Sequence, residues 1–241
     1  MSRRLQTYLR ISFVVAFLLI LLPEALRAGQ SGEKQDCAMT PLVAAIHNRD
    51  TQEAKRLIDS GVDLNTKSFC GSSALLESIV YDQLDVTESL LEHGANPNFG
   101  DGTGATGLSV AAFYCRQEAA LLLLTHGADV NAVQIHGYTP LMDSTQNCTD
   151  GSLTALLIRA GAKVNQRTKD SQTALHVAAF YGNENAVHLL VAAGADIYAK
   201  TDDGQTAAMI AHDRDVGRKP SHDRIYEFLR QTERLSASRK Q

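Results

Sequence analysis

Apolar positions along this chain gather in short clusters at helical spacing, and each cluster is separated from the next by a polar phrase centred on glycine. Leucine pairs recur at Leu90-Leu91, Leu123-Leu124, Leu156-Leu157 and Leu189-Leu190, and alanine pairs at Ala44-Ala45, Ala111-Ala112 and Ala178-Ala179. The pattern predicts two short helices per period. Gly61, Gly94, Gly127, Gly161 and Gly194 close the second helix at intervals of 33, 33, 34 and 33 residues. A hydroxyl residue opens the first helix at Thr40, Ser73, Thr106, Thr139, Thr173 and Thr206. The register thus runs through about six units with a single inserted residue.

Each landmark has a physical reason. A hydroxyl at the helix start can accept from the free backbone N–H groups there. Pro41 and Pro140 occupy the first helical position, where a missing N–H costs nothing. Glycine after the second helix permits the left-handed conformation that ends it. The alanines allow neighbouring first helices to approach closely, and the leucines line a seam between second helices. One unit cannot bury that seam alone, so stability comes from contacts with the next unit. The ends read as caps: Asp50, Glu53, Lys55 and Arg56 make the first unit polar outside, and the polar insertion His212 to Asp223 sets the last unit apart. Its second helix is expected over 224–235, followed by a frayed tail, 236–241.

The phrases GVDLN, GANPN, GADVN, GAKVN and GADIY, with TPL at Thr139 and TALHVAA at Thr173, make the chain resemble the ankyrin-repeat family. The resemblance extends from about Met39 to Leu229 and is fullest in the unit Gln172 to Thr206. It implies an all-α solenoid of helix-turn-helix units with projecting β-hairpin fingers, a structural role for His176, and protein binding on a concave face.

The N-terminus has a different composition. Arg3, Arg4 and Arg10 precede an apolar run from Ile11 to Leu22, which Pro23 and Glu24 end. As a helix this run covers about 18 Å, short for a hydrocarbon core of about 30 Å. Residues 1–28 therefore read as a signal peptide cleaved after Ala28 or Gly29, 29–38 as a linker and 39–235 as the repeat domain. An uncleaved signal anchor in the inner membrane is the alternative, and the only reading that gives this chain a membrane. No lipid-attachment pattern surrounds Cys37. The segment fits bacterial export, so a periplasmic location is expected.

Hydrophobic residues make up 44% of the chain and charged residues 21%, as in an ordinary folded protein. Without residues 1–28 the formal charge moves from -4 to -7, because that segment carries four arginines and one glutamate. An acidic body argues against a nucleic-acid partner. The glycine-rich stretch Phe99 to Gly107 follows a helix and coincides with a finger, which is the wrong setting for a phosphate loop. No paired acid–base or nucleophile set and no metal-ligand spacing is present, so neither a catalytic site nor a cofactor nor a small-molecule substrate is expected.

Cys37 and Cys70 share one register position, a finger tip, and Cys115 and Cys148 share another, the loop ending the first helix. Even numbers at equivalent places in an exported chain suggest disulfides 37–70 and 115–148. Four unpaired thiols remain the alternative. Helices stack about 8–10 Å apart, whereas bonded cysteines need Cα atoms within about 7 Å. The extra residue near Asp150 offers the fourth unit a way to lean in.

The residues after each alanine pair, with the finger tips, give the candidate docking set. It comprises Phe69, Tyr81, Phe113, Tyr114, Ile135, His136, Tyr138, Phe180 and Tyr181, with Val133 beside them and Lys169, Asp170, Asp202 and Asp203 as a polar rim. Aromatic anchors with a polar border have the composition of a binding hot spot. For Phe113 and Phe180 the alternative is inward packing. The expected role is a monomeric, non-catalytic interaction module, such as an accessory or stress-defence factor. An immunity protein blocking a secreted toxin or hydrolase is the second reading.

Overall fold

The computed structural model describes residues 39–68, 71–213 and 220–238, which belong to one compact unit, Ala38–Gln241. The signal and linker segments, Cys37, Phe69, Cys70, residues 214–219 of the polar insertion and the end of the tail lie outside the described residues.

Among the described residues twelve helices follow one another in pairs: α1 (Pro41–His47) with α2 (Thr51–Asp59), α3 (Ala74–Val80) with α4 (Leu84–Glu92), α5 (Gly107–Phe113) with α6 (Gln117–Thr125), α7 (Pro140–Asn147) with α8 (Ser152–Arg159), α9 (Ala174–Tyr181) with α10 (Glu184–Ala192), and α11 (Ala207–His212) with α12 (Pro220–Ser238). The odd-numbered helices pack on one another in sequence, and the even-numbered ones form a second row. This is an all-α repeat solenoid. None of these helices is long and apolar enough to cross a membrane. The last helix is longer than the sequence pattern predicts, starting at Pro220 and taking in residues 236–238.

The core follows the repeat. Leu75, Leu108, Leu141 and Leu175 of the first helices are at most 2% exposed, and Ile58, Leu90, Leu123, Leu157 and Leu190 fill the seam of the second row. Thr40, Ser73, Thr139 and Thr206 accept from the backbone N–H three residues on. Thr106 makes no such bond. The glycine after each of α2, α4, α6, α8 and α10 is left-handed, as the terminating role requires.

Between pairs the chain projects as fingers. Each is a tight turn closed at its base by a backbone bond of 2.7–3.0 Å, for example Asp101 N–H to Ala105 C=O and Gln134 N–H to Tyr138 C=O, with a second bond inside the turn such as Gly137 N–H to Gln134 C=O. The expected hairpins are reduced to turns: the described residues contain one isolated antiparallel bridge, Lys67 with Ser73, and no strand. An asparagine ladder ties successive fingers together at their bases. The side-chain oxygens of Asn65, Asn98, Asn131 and Asn165 accept from the backbone N–H groups of Asn96, Asp129, Lys163 and Asp196 at 2.7–2.8 Å. At the next rung Tyr198 replaces asparagine, and its hydroxyl reaches the Glu233 carbonyl and Ser236 on α12. The long terminal helix thereby closes the ladder.

Candidate functional site

Each first helix starts where its finger ends, so the fingers lie at the starts of these helices and the candidate aromatics at their other ends. Tyr81 follows α3 and bonds through its hydroxyl to His47 Nδ1 at 2.8 Å, their rings edge to face at 5.2 Å. Phe113 and Tyr114 at the end of α5 form an edge-to-face pair, and Phe180 and Tyr181 at the end of α9 form another. All five aromatics are half-buried. They are seated in the structure while keeping exposed edges, so neither wholly inward packing nor free projection describes Phe113 and Phe180.

The finger 133–138 opens the unit that lies between the two that carry these aromatic pairs. Val133 and Ile135 are 54% and 55% exposed, and His136 is exposed beside them. This finger is bonded to both neighbours: Ile135 N–H donates to the Thr103 carbonyl at 2.9 Å, and Lys169 N–H to the His136 carbonyl at 3.0 Å. Lys169, Asp170, Asp202 and Asp203 are exposed on the following fingers.

Tyr138 requires a correction, because it is only 8% exposed and does not present its ring for docking. Its finger folds back toward α7, where Asp143 is fully buried and accepts from Gln134 Nε2 at 2.6 Å. Burial pushes the Asp143 carboxyl well above the ordinary range, with the Gln134 bond pulling the other way. Burial likewise raises the Tyr138 phenol, helped by the charges of Tyr181, Asp143 and Asp170. Tyr181 is raised by burial and then by Asp143. Tyr114 is pushed up to about 12, by burial first and by Glu77, against the pull of Arg116. A carboxyl in one unit therefore lies near a tyrosine of the next at two places, Glu77 with Tyr114 and Asp143 with Tyr181. The sequence reading missed this buried layer, although the departure of Glu77 and Asp143 from the Val110 and Val177 of equivalent positions was a visible signal.

His176 has the structural role expected of it. Its Nδ1 accepts from the Thr173 N–H at 3.1 Å, so Nε2 carries the proton and donates to the Ala199 and Gln205 carbonyls at 3.1 and 3.2 Å. It joins α9 to the next finger. Burial lowers its pKa, against those two bonds. No group of three or more metal-ligating side chains occurs among the described residues.

The structure brings Cys115 and Cys148 to disulfide distance, with Cα atoms 5.4 Å apart. Cys115 is left-handed (φ 59°), like Arg49, Asp82 and Gly182 at the equivalent positions. Cys148 is not, with φ -83° and ψ 84°. The inserted residue moves the left-handed position on to Gly151 and frees Cys148 to turn toward α5.

A family model described as ankyrin repeats (3 copies) matches residues 14–101 and 141–230. The matches span well over half of the chain, and it belongs to the ankyrin-repeat family. Repeats of this kind generally mediate protein–protein interaction and are typically non-catalytic. No curated protein matches the chain as a relative.

Proposed function

We propose that this chain is an exported interaction module that holds a partner protein on the concave side of its stack. The observation that carries this reading is the recurrence of half-buried aromatics in one register, Tyr81, Phe113-Tyr114 and Phe180-Tyr181, together with a finger in the same stack that exposes Val133 and Ile135. Seated rings and an apolar finger bury area against a partner at low entropic cost, and the polar neighbours set orientation. The basic start and short apolar run of residues 1–22 support export, and a Cys115–Cys148 disulfide belongs to the same reading, since such bonds persist in oxidising compartments.

The docking test uses Ile135, the most exposed apolar side chain of the finger. Ile135→Asp should weaken retention of the proteins captured from a periplasmic extract by at least about tenfold, while the melting temperature shifts by no more than about 2 °C. Undiminished capture would overturn the site. The captured protein decides between roles: a toxin or hydrolase inhibited on binding would replace the accessory reading with the inhibitor reading. The mass of the exported chain tests the leader. Loss of residues 1–28 is expected, whereas a mature chain retaining residues 14–28, which the family match reaches, would defeat that boundary.

A further inference from the structure

The connection between α7 and α8 differs from its counterparts. It is one residue longer than those of the first three pairs and is held from both sides. On the α5 side, Asn147 Nδ2 donates to the Phe113 carbonyl at 3.1 Å, and Cys148 lies at bonding distance from Cys115. On the α9 side, Asn183 Nδ2 donates to the Thr145 and Cys148 carbonyls at 3.1 and 3.0 Å, and Asn185 Nδ2 to the Thr149 carbonyl at 2.7 Å. Gly151, left-handed at φ 76°, lies so close to α10 that a Cβ there would stand 2.9 Å from Leu189 Cδ1. On the α9 side the attachments are hydrogen bonds. On the α5 side a hydrogen bond is joined by a cysteine pair at disulfide distance.

We propose that the Cys115–Cys148 cross-link is a reducible lock on this connection, fixing residues 147–151 against the end of α5 and with them the Phe113–Tyr114 edge of the docking face. The lock rests on the reading that the link forms; its effect on docking rests on the docking reading as well. Formation needs an oxidant, a disulfide-bearing oxidoreductase of the export compartment. Cys115 is exposed whereas Cys148 is 3% exposed, so the Cys115 thiolate is the one that reaches the oxidant. It attacks a sulfur of that disulfide, forms a mixed disulfide and releases one thiolate. The Cys148 thiolate then attacks Cys115 Sγ and expels the oxidant's second thiolate. Two thiols of this chain have lost two protons and two electrons, and the oxidant departs as a dithiol. A reductant of the dithiol class reverses both steps and opens the lock.

The test needs no partner. The full exported chain is purified without reductant, its free thiols are blocked, and it is digested and weighed before and after reduction. A peptide pair joining Cys115 to Cys148 is expected. Blocked thiols at both positions, or a link to another cysteine, would remove the reading on which the lock rests. Hydrogen exchange is then followed in the peptide spanning residues 146–152 for the oxidised chain, the reduced chain and Cys115→Ser. Exchange there should rise by about tenfold in the latter two, with residues 194–199 unchanged. If the cross-linked peptide is found but exchange is the same in all three, the bond exists and the lock is wrong. The two failures are therefore distinct.

Discussion

The second and fourth helix pairs are built differently from the third and fifth. The position five residues after each opening hydroxyl is Ser78 in α3 and Ser144 in α7, but Ala111 in α5 and Ala178 in α9, and all four are completely buried. The facing position in the second helix changes in step. Ser78 Oγ pairs with Thr87 Oγ1 at 2.9 Å and Ser144 Oγ with Thr154 Oγ1 at 3.0 Å, whereas the equivalents in the other pairs are Ala120 and Val187. Each serine also donates to the carbonyl three residues back. The stack demands a small side chain at this place and accepts a polar one when its hydroxyl has a partner inside the same pair. One position earlier the same two units carry Glu77 and Asp143, where the others carry valine. At these positions polar side chains thus alternate with apolar ones from the second pair to the fifth.

The strongest way to break this symmetry is to enlarge the small position. Ala178→Leu forces three extra carbons into a site with no exposure, between α9 and its neighbours. It should cost about 3 kcal/mol, roughly a 10 °C fall in melting temperature for a domain of this size. A fall below about 2 °C in a thermal scan would show that the helices can move apart there, contrary to the close packing argued above.

The carboxyl is the next lever, and its effect depends on pH. The folded pKa of Asp143 lies above its unfolded value of about 4. Its contribution to stability is thus complete below that pH and is lost as pH rises toward the folded value. Asp143→Asn should raise the melting temperature by a few degrees at pH 8 and by progressively less toward pH 4. Parallel melting profiles for the two proteins across that range would show that the buried carboxyl is compensated by other groups. His176 works in the opposite direction. Its lowered pKa means that stability is lost as pH falls below about 6.5.

The smallest expected effect sharpens the comparison most. Ser144→Ala alone leaves the Thr154 hydroxyl without its cross-helix partner and should cost about 1 kcal/mol. Adding Thr154→Val gives the fourth pair the alanine–valine arrangement of Ala178 and Val187, and most of that loss should return. A double-mutant cycle read by urea denaturation measures the coupling. Additive losses would mean that the hydroxyl pair is incidental and that the alternation carries no energetic rule.

The helix pairs and their order were legible because the units repeat the same few landmarks, and a local rule stands behind each; the bounds of α12 were not, because the last unit departs from the pattern. His176 could be placed because its unit keeps nearly the whole family pattern, and it makes the structural bonds expected of it. Tyr138 was misread because register says which residue follows a finger, not whether the finger folds back over a buried acid. The meeting of Cys115 with Cys148 was open in the sequence, since average helix spacing argued against it and only the path of one inserted residue could decide.

By itself the amino-acid order determined a stack of paired helices that bury their seams against one another, because hydroxyl, proline, glycine and leucine act within their own unit or on the next. The tertiary structure alone decided which polar groups lie inside, which aromatics keep an exposed edge, and which side chains of different units meet. Those outcomes depend on distances of a few ångströms between units, and a one-dimensional pattern does not contain them.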